Sequence, residues 1–332
     1  MEQRNEFYFT SPSFLWPLIR DKRDLPMLHM LWNCVCITIP GAATVYAISH
    51  CLVGALFCAV NMCLLQERFL LGQHYYMHRG LFKSKTLNTV VMVLLSPFFG
   101  LPSGLYHTHH CIMHHCENNR RGWDLSSTEP FQRDNALHFA YYWMRFAFMI
   151  WVELPTYAWR RKRYALSMLL LFCELIYFTL VGKLFAWNPT ATFWVFVFPA
   201  MTNSALLMYG NWCQHLFIDP DNPRSNYGLA YNVIEHPCNT RSFNDGYHIE
   251  HHLNSRKHWS KLPRSYEENL QAYKKNDAIV FKGLDFFQVG FLVFTRQYDV
   301  LEAHLVNFNG HPNVESFLRR RLAPIPWNNG KQ

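Results

Sequence analysis

Histidines at metal-ligand spacings are the residues of this sequence most able to do chemistry. The stretch HTHHCIMHH holds five histidines in nine residues. Five neighbouring imidazoles repel one another when they are protonated, and their nitrogens lack partners when they are buried and neutral. A bound cation removes both problems, and imidazole suits Zn, Cu, Fe and Ni alike. The spacing predicts metal binding by His110, His114 and His115, with His107 and His109 left unassigned.

Two further clusters have metal-ligand spacing. His74 and His78 lie four residues apart, which places both imidazoles on one face of a helix. Zinc peptidases with this spacing carry Glu directly after the first histidine. A Tyr stands there in this chain, which disfavours a zinc hydrolase. His248, His251 and His252 share one helical face in the same way.

Asn211 and His215 form a smaller pair, one helical turn apart at the end of the last long apolar segment. Their position favours a ligand role for His215 and, less strongly, for Asn211. The chain thus offers nine candidate histidine ligands, namely His74, His78, His110, His114, His115, His215, His248, His251 and His252. Nine imidazoles are too many for one ion and suit two metal ions. No catalytic residue is predicted beyond these metal ligands.

The composition indicates an integral membrane protein with a sizeable aqueous part. Charged residues make up 16% of the chain and hydrophobic residues 50%, whereas soluble domains contain roughly 25% charged residues. The net charge is +8, and basic residues precede apolar segments at 20–23 and 160–163. This pattern fits the positive-inside bias of membrane proteins better than nucleic-acid binding. No Cys-x-x-Cys pair occurs, which argues against a thiolate zinc site.

Four segments have the length of about 20 mostly apolar residues that a membrane-spanning helix needs. They are 28–48, 51–71, 165–187 and 192–210. Only a few residues separate the first two segments and the last two, so each pair is predicted to form a hairpin. Glu174 in the third segment is costly in lipid and is predicted to face the protein interior.

The remaining chain has a more mixed character. Segment 88–105 is apolar but broken by prolines and glycine, which predicts an interfacial or re-entrant element. Segment 136–159 combines aromatic with charged residues and is predicted to be an amphipathic helix on the membrane surface. From residue 211 onward the chain is polar and turn-rich, which predicts a folded aqueous region. If the basic segments mark the cytosolic side, the histidine clusters all emerge on that face.

In the order and spacing of its histidines, the sequence resembles the membrane fatty-acid desaturase and hydroxylase superfamily. That superfamily has three histidine boxes, H-x3/4-H, H-x2/3-H-H and H-x2-H-H, and an extra histidine after the last span. They match, in order, His74/His78, His110/His114/His115 and His248/His251/His252, with Asn211/His215 for the extra histidine. The stretch YHIEHHLNSRKHWSKLP is particularly similar to the third box of acyl-lipid and sphingolipid desaturases.

The resemblance implies an all-α integral membrane fold, with four transmembrane helices in two hairpins, interfacial helices, and a cytosolic cap that holds a histidine-rich dimetal site. The corresponding organisation is an N-terminal cytosolic segment 1–27, a membrane domain 28–265 and a C-terminal cytosolic region 266–332. The implied cofactors are two non-haem iron ions, with O2 as co-substrate. The implied reaction is desaturation of a membrane lipid or acyl chain.

The resemblance also implies partners and a location. Electrons would come from a carrier such as cytochrome b5 or ferredoxin. This donor is expected to be a separate protein, because the His-Pro-Gly-Gly signature of a fused cytochrome b5 domain is absent from the sequence. The expected location is a multi-pass position in the endoplasmic reticulum membrane of a eukaryote, or otherwise in a plastid or inner cell membrane. No nucleic-acid partner is expected.

Other functions remain open at this point. A hydroxylase, ketolase or alkane oxygenase would share the same boxes, and product analysis would separate alcohol from alkene. A metal transporter could also hold histidines near a membrane, although transport needs ligands along a path between the two faces. An inactive scaffold is disfavoured by the intact boxes. Candidates for orienting the ligands are Glu250, Asp245, Glu235, Asp124, His236 and His258.

Overall fold

The computed structural model describes residues 9–102 and 104–326. These residues are mostly helical with one two-stranded sheet, and the predicted all-α membrane fold is confirmed. Parts of three predicted segments, namely residues 1–8, Ser103 and residues 327–332, lie outside the described residues. The predicted division of the chain at residues 27 and 265 stays a prediction.

The helices of the described chain are numbered here from the N-terminus. They are α1 Lys22–Ile48, α2 Cys51–Arg79, α3 Lys85–Phe99, α4 105–117, α5 Ala136–Arg160, α6 Tyr164–Trp187, α7 Pro189–Gln214, α8 Asn226–Leu229, α9 Cys238–Arg241, α10 His248–Leu253, α11 Leu262–Glu268, α12 Leu270–Lys275, α13 Phe286–Phe294, α14 Tyr298–His304 and α15 Val314–Leu322. The strands are β1 Asn232–Ile234 and β2 Val280–Lys282, and short 3-10 turns cover Ser13–Leu18 and Trp259–Lys261.

Four of these helices, α1, α2, α6 and α7, are long and apolar enough to cross a membrane. They correspond to the four predicted spans and agree with them closely at most ends. The main difference is α2, which continues beyond the apolar segment to Arg79 and so carries the first histidine pair on an unbroken helix. A π-helical turn interrupts α1, α2 and α7, and π-helical geometry covers Thr108–His114 in α4. Such turns are frequent at functional sites.

The chain folds into two compact units. Unit 1 consists of residues 1–110 and 151–205, and unit 2 consists of residues 111–150 and 206–332. Each unit is therefore assembled from two separate pieces of the chain. The predicted spans fall mainly in unit 1, and the region after residue 206 falls in unit 2.

Unit 1 is built from two helical hairpins whose turns contact each other. Ser49, in the left-handed conformation, ends α1, and its hydroxyl donates to the Asn188 side chain across 2.8 Å. Asn188 also caps the next helix by accepting from the backbone N–H of Ala191. The Asn188 amide nitrogen donates to the Tyr46 carbonyl. Both turns therefore lie at the same end of unit 1, as two hairpins in one membrane require.

Close helix approaches and internal polar pairs hold the hairpins together. A Cβ atom on Gly54 would lie 2.3 Å from the Trp194 ring, so only glycine allows α2 and α7 to approach this closely. The buried Thr38 hydroxyl donates to Asn61 across 2.5 Å between α1 and α2. Glu174 is only 8% exposed, as expected for a carboxylate in an apolar span.

The two predicted interfacial segments are helical. Residues 88–99 of the first segment, predicted as 88–105, belong to the helix α3, and Gly100 then turns the chain with a φ of +70°. In unit 2, the first part of α5 exposes an apolar stripe at helical spacing, formed by Leu137, Tyr141, Met144 and Phe148. Its opposite face buries Tyr142. This pattern supports the predicted amphipathic surface helix.

Unit 2 is organised around a fully buried arginine. The Arg133 guanidinium donates to backbone carbonyls of residues 128 and 131, of Leu216 after α7, and of Arg321 and Ala323 at the end of α15. Burial lowers the pKa of Arg133 to about 9, and nearby Glu129 partly offsets this effect. The side chain therefore remains charged at neutral pH and joins three segments that are distant in sequence.

A small parallel sheet lies beside the third histidine box in unit 2. Strand β1 pairs with β2 in the register Asn232–Val280 to Ile234–Lys282. The Asn232 side chain accepts from the Ile249 backbone N–H in α10 across 2.8 Å, and its amide donates to the Tyr273 hydroxyl. The sheet thereby fixes the position of α10.

Candidate metal centre

The first histidine box lies in unit 1 with one histidine of the second. Helix α2 carries His74 and His78 on one face, with ring centroids 5.9 Å apart. The His110 ring lies 4.3 Å from His74 and 5.0 Å from His78. Each of the three offers a ligand nitrogen within 4.8 Å of the others. The structure therefore brings together three predicted ligands in unit 1.

A second group of three buried histidines lies in unit 2. His114, His215 and His252 come from α4, the end of α7 and α10, with ring centroids 5.0 to 5.4 Å apart. Their ligand nitrogens also lie within 4.8 Å of one another. His248 adjoins this group, with its ring centroid 4.7 Å from that of His252. Residues far apart in sequence therefore converge on one small volume.

The chemistry of His215 is fixed by its surroundings. Its Nδ1 lies 2.8 Å from the Leu229 carbonyl, which can only accept, so the proton is on Nδ1. Its Nε2 is buried and has no hydrogen-bond partner among the described residues. Burial, and next the charge of His114, lower the pKa of His215 to about 3. The imidazole is thus neutral, with an unused Nε2 lone pair toward its histidine neighbours, as a metal ligand requires.

His114 is oriented by a carboxylate. Its Nδ1 lies 2.7 Å from Asp124 Oδ2, and both side chains are buried. The other carboxylate oxygen, Oδ1, accepts from the backbone N–H of Ser126 at 2.8 Å and from its hydroxyl at 2.7 Å. A carboxylate that holds Nδ1–H directs Nε2 of the same ring toward a metal. Asp124, one of the acids proposed from the sequence, is therefore in the expected position to orient a ligand.

The third box and the end of the second meet at a pair of nitrogens. His115 Nε2 and His251 Nε2 are 2.9 Å apart. Two nitrogens that bind one ion at right angles, each at about 2.1 Å, are separated by roughly 3 Å, which is close to the observed distance. The His115 ring also stacks on His252, with a centroid distance of 4.7 Å. These distances fit a shared ion without large side-chain movements.

Glu250 holds the third box from its far side. This fully buried carboxylate accepts from Lys257, Ser265, Asn269 and Tyr273. It lies between His248 and His251 in sequence but bonds away from both, so it anchors α10 rather than an imidazole. The network explains how a helix of six residues can present three histidines in fixed directions.

Other predicted residues have different surroundings. The Asn211 amide nitrogen donates to the Ser126 carbonyl and the Tyr142 hydroxyl, at 3.1 and 2.7 Å. Asp245 accepts from Gln214, which links the third-box region to the end of α7. Glu235 pairs with Lys282 at the surface. His258 caps a turn by accepting from the Ser260 N–H.

The two unassigned histidines of the opening stretch do not join the converging sets found among the described residues. His107 lies on the short turn before the π-helical segment, and burial lowers its pKa. His109 is buried. The placement of His110, His114 and His115 thus agrees with the spacing argument.

A third cluster of metal-ligand side chains, His236, Cys238 and Asp285, lies half-exposed in unit 2. Its members already support the backbone. The Asp285 carboxylate caps α13 by accepting from the Gln288 N–H, and His236 Nδ1 accepts from the Cys238 N–H. His236 and Asp285 therefore have structural roles in the backbone turns that bring these side chains close together.

The site has features that the sequence did not reveal. The Leu229 carbonyl that fixes the His215 proton has no side-chain signature, since any residue supplies a carbonyl. Tyr142 and Ser126, which hold Asn211, also lie outside every histidine motif. The Asp124–Ser126 contact had a local signal, because an Asp side chain commonly accepts from the backbone N–H two residues later.

The fold and site define a membrane protein with buried histidine clusters able to hold metal ions. The sequence matches the family model described as fatty acid desaturase over residues 49–283, which is more than half of the chain. The chain therefore belongs to the fatty acid desaturase family, and the resemblance seen in its histidine boxes is confirmed. A comparison with curated proteins gave no match. Membership makes the protein an oxidoreductase of the desaturase and hydroxylase type.

Proposed function

We propose that this protein is an O2-dependent diiron enzyme that desaturates an acyl chain of a membrane lipid. The observation that carries the proposal is the His114, His215 and His252 group. A buried imidazole with its proton fixed on Nδ1 and its Nε2 unpartnered is costly unless a cation occupies the space in front of it. The ligand set of nine histidines and Asn211 is carried over from the sequence on this basis.

The protein residues have three tasks in this proposal. Imidazoles bind the metal, Asp124 and the Leu229 carbonyl orient two of them, and the Glu250 network fixes α10. Iron, when bound, supplies O2 activation for oxidation of an unactivated C–H bond. A donor set rich in imidazoles and without thiolates is compatible with iron. The surrounding helices would align the chain and exclude water.

The overall reaction distinguishes two products of the same site. Desaturation consumes O2, two electrons and two protons, and yields one alkene and two waters. Hydroxylation consumes the same inputs and yields one alcohol and one water. The electrons would come from a separate carrier such as cytochrome b5 or ferredoxin. We place the enzyme in the endoplasmic reticulum membrane of a eukaryote, or otherwise in a plastid or inner cell membrane, with four passes.

The test is to express the full chain with an electron donor and to profile total lipids by mass spectrometry. An acyl product lighter by two hydrogens supports the proposal, whereas a product heavier by one oxygen assigns hydroxylation. His215→Gln should abolish the product and lower bound iron. His138→Gln is the matched control, because its Nδ1 only accepts from the Gln132 N–H. Full activity of the His215→Gln variant would overturn the metal assignment.

A further inference from the structure

Helix α13 lies in the region after residue 211, which was predicted to be aqueous, but its outer face is apolar. Its nine residues read FFQVGFLVF, with Gln288 as the one polar side chain. Phe287 and Phe291 lie one turn apart and are 46% and 59% exposed. Two neighbouring phenylalanines on the outside of an already apolar helix form a patch that water solvates poorly.

The inner face of α13 packs on the last turns of the membrane-spanning helix α7. A Cβ atom on Gly290 would lie 2.3 Å from Cys213 Sγ and 2.8 Å from the Tyr209 hydroxyl. The Phe287 ring lies 5.1 Å from the Tyr209 ring. Because Tyr209 and Cys213 lie in the last turns of the candidate span Pro189–Gln214, α13 packs on the end of a helix that is apolar enough to cross a membrane.

The ends and surroundings of α13 also suit an interface. Exposed Lys282, which pairs with Glu235, precedes the helix, and exposed Arg296 follows it. A basic side chain at the end of an interfacial helix, such as Arg296, can reach lipid headgroups. The Phe294 ring lies 6.2 Å from Phe139, on the amphipathic helix α5. The apolar surface of α13 is thus continuous with a helix already expected at the membrane surface.

We propose that α13 is an in-plane membrane anchor, with Phe287 and Phe291 inserted among the acyl chains of the bilayer. The occupant of its outer face is lipid. The buried face of the helix carries Phe286, whose ring lies 5.9 Å from His248 and 5.2 Å from Tyr231. The anchor therefore sets the height of the third histidine box above the bilayer. Neither the histidine boxes nor family membership supplies this role.

The experiment labels the full-length protein from the lipid side. The chain is reconstituted in phosphatidylcholine vesicles that contain a phosphatidylcholine with a diazirine on its acyl chain, irradiated, and digested with trypsin. Cleavage after Lys282 and Arg296 releases residues 283–296, which contain the whole of α13. Residues 164–183, released from the span α6, are the positive control, and residues 276–282, which contain the buried strand β2, are the negative control.

Labelling of 283–296 comparable to that of 164–183 is the expected result. Labelling no higher than that of 276–282 would overturn the proposal, as would cross-links between the 283–296 peptides of two chains in place of lipid adducts. The double variant Phe287→Gln/Phe291→Gln should lose the adducts, while the matched variant Gln288→Ser keeps them. Photolabelling of the 283–296 peptide needs neither bound iron nor enzymatic turnover. A negative result would therefore overturn the anchor proposal and leave the proposed desaturase function intact.

Discussion

Replacing Asp124 by Asn tests whether the buried carboxylate orients His114 for metal binding. Asp124 Oδ2 accepts from His114 Nδ1 at 2.7 Å, and Asp124 Oδ1 accepts from the Ser126 backbone N–H at 2.8 Å and from the Ser126 hydroxyl at 2.7 Å. An Asn side chain has one oxygen and one NH2 group. If the oxygen stays with Ser126, the NH2 group faces Nδ1–H of His114, and the imidazole must move its proton to Nε2 or rotate away.

Either response removes the Nε2 lone pair from the metal. Loss of an outer carboxylate that orients a histidine ligand weakens metal binding by about 10- to 100-fold, or roughly 1.4–2.7 kcal/mol. We expect this loss for Fe²⁺, measured by competition with a chromogenic chelator on the purified full-length protein. The fold should survive, because Asn keeps the shape of the side chain and the Ser126 contacts.

Asp134→Asn is the matched control, since this carboxylate accepts from Gln132 and Tyr298 and is not among the converging metal-ligand groups of the described chain. It should leave Fe²⁺ affinity unchanged within about twofold, which is about 0.4 kcal/mol. If Asp124→Asn binds Fe²⁺ as tightly as the unaltered protein, with an unchanged unfolding temperature, the orienting role of Asp124 is wrong.

Three further predictions concern stability and are measured by thermal unfolding of the purified protein. Arg133→Met removes the guanidinium donor from the carbonyls of Leu216, Phe131 and Ala323, and one of two donors from those of Thr128 and Arg321. It should lower the free energy of unfolding by about 3–5 kcal/mol; an unchanged unfolding temperature would contradict this. Gly290→Ala forces a Cβ against Cys213 and should lower the free energy of unfolding by about 1–3 kcal/mol; an unchanged unfolding temperature would show that α13 does not pack this closely on α7. Burial would raise the pKa of Asp277, but the His311 hydrogen bond and other partners outweigh it, so the net pKa lies below 3.8. The resulting stabilisation is complete above about pH 4 and is lost at lower pH, so Asp277→Asn should flatten the acid limb of the pH–stability curve.

The membrane helices were predictable because long apolar segments have few alternatives. Each of the four predicted spans has a counterpart, since about 20 apolar residues can satisfy their backbone in lipid only as a helix. The extension of α2 to Arg79 was not visible in hydropathy, because the last turns are polar. The buried side chains of Gln73, His74 and Tyr75, which point in different directions around the helix, show that these turns are surrounded by other parts of unit 1.

The histidine clusters were predictable as spacings, but their supports were not. The sequence indicated that His248, His251 and His252 share a face, and α10 presents them together. The same sequence gave no sign of the Arg133 contacts, because a backbone carbonyl leaves no trace in residue identity. Helix α13 was missed for another reason: a helix of nine residues is too short for a span, and its apolar periodicity resembles that of a buried core helix.

Unit 2 is assembled from two separate pieces of the chain, and this has a consequence for its biogenesis. Arg133 reaches the ribosome exit long before its partner Ala323, from which it is separated by 323 − 133 = 190 residues. At a synthesis rate of about 5–20 residues per second, this delay is roughly 10–40 s. During the first part of that interval, until α10 (His248–Leu253) has been made, His114 and His115 lack their neighbours His251 and His252. Metal binding by this group of histidines is therefore expected to follow the synthesis of α10, and folding of the Arg133 contacts is expected to follow later still.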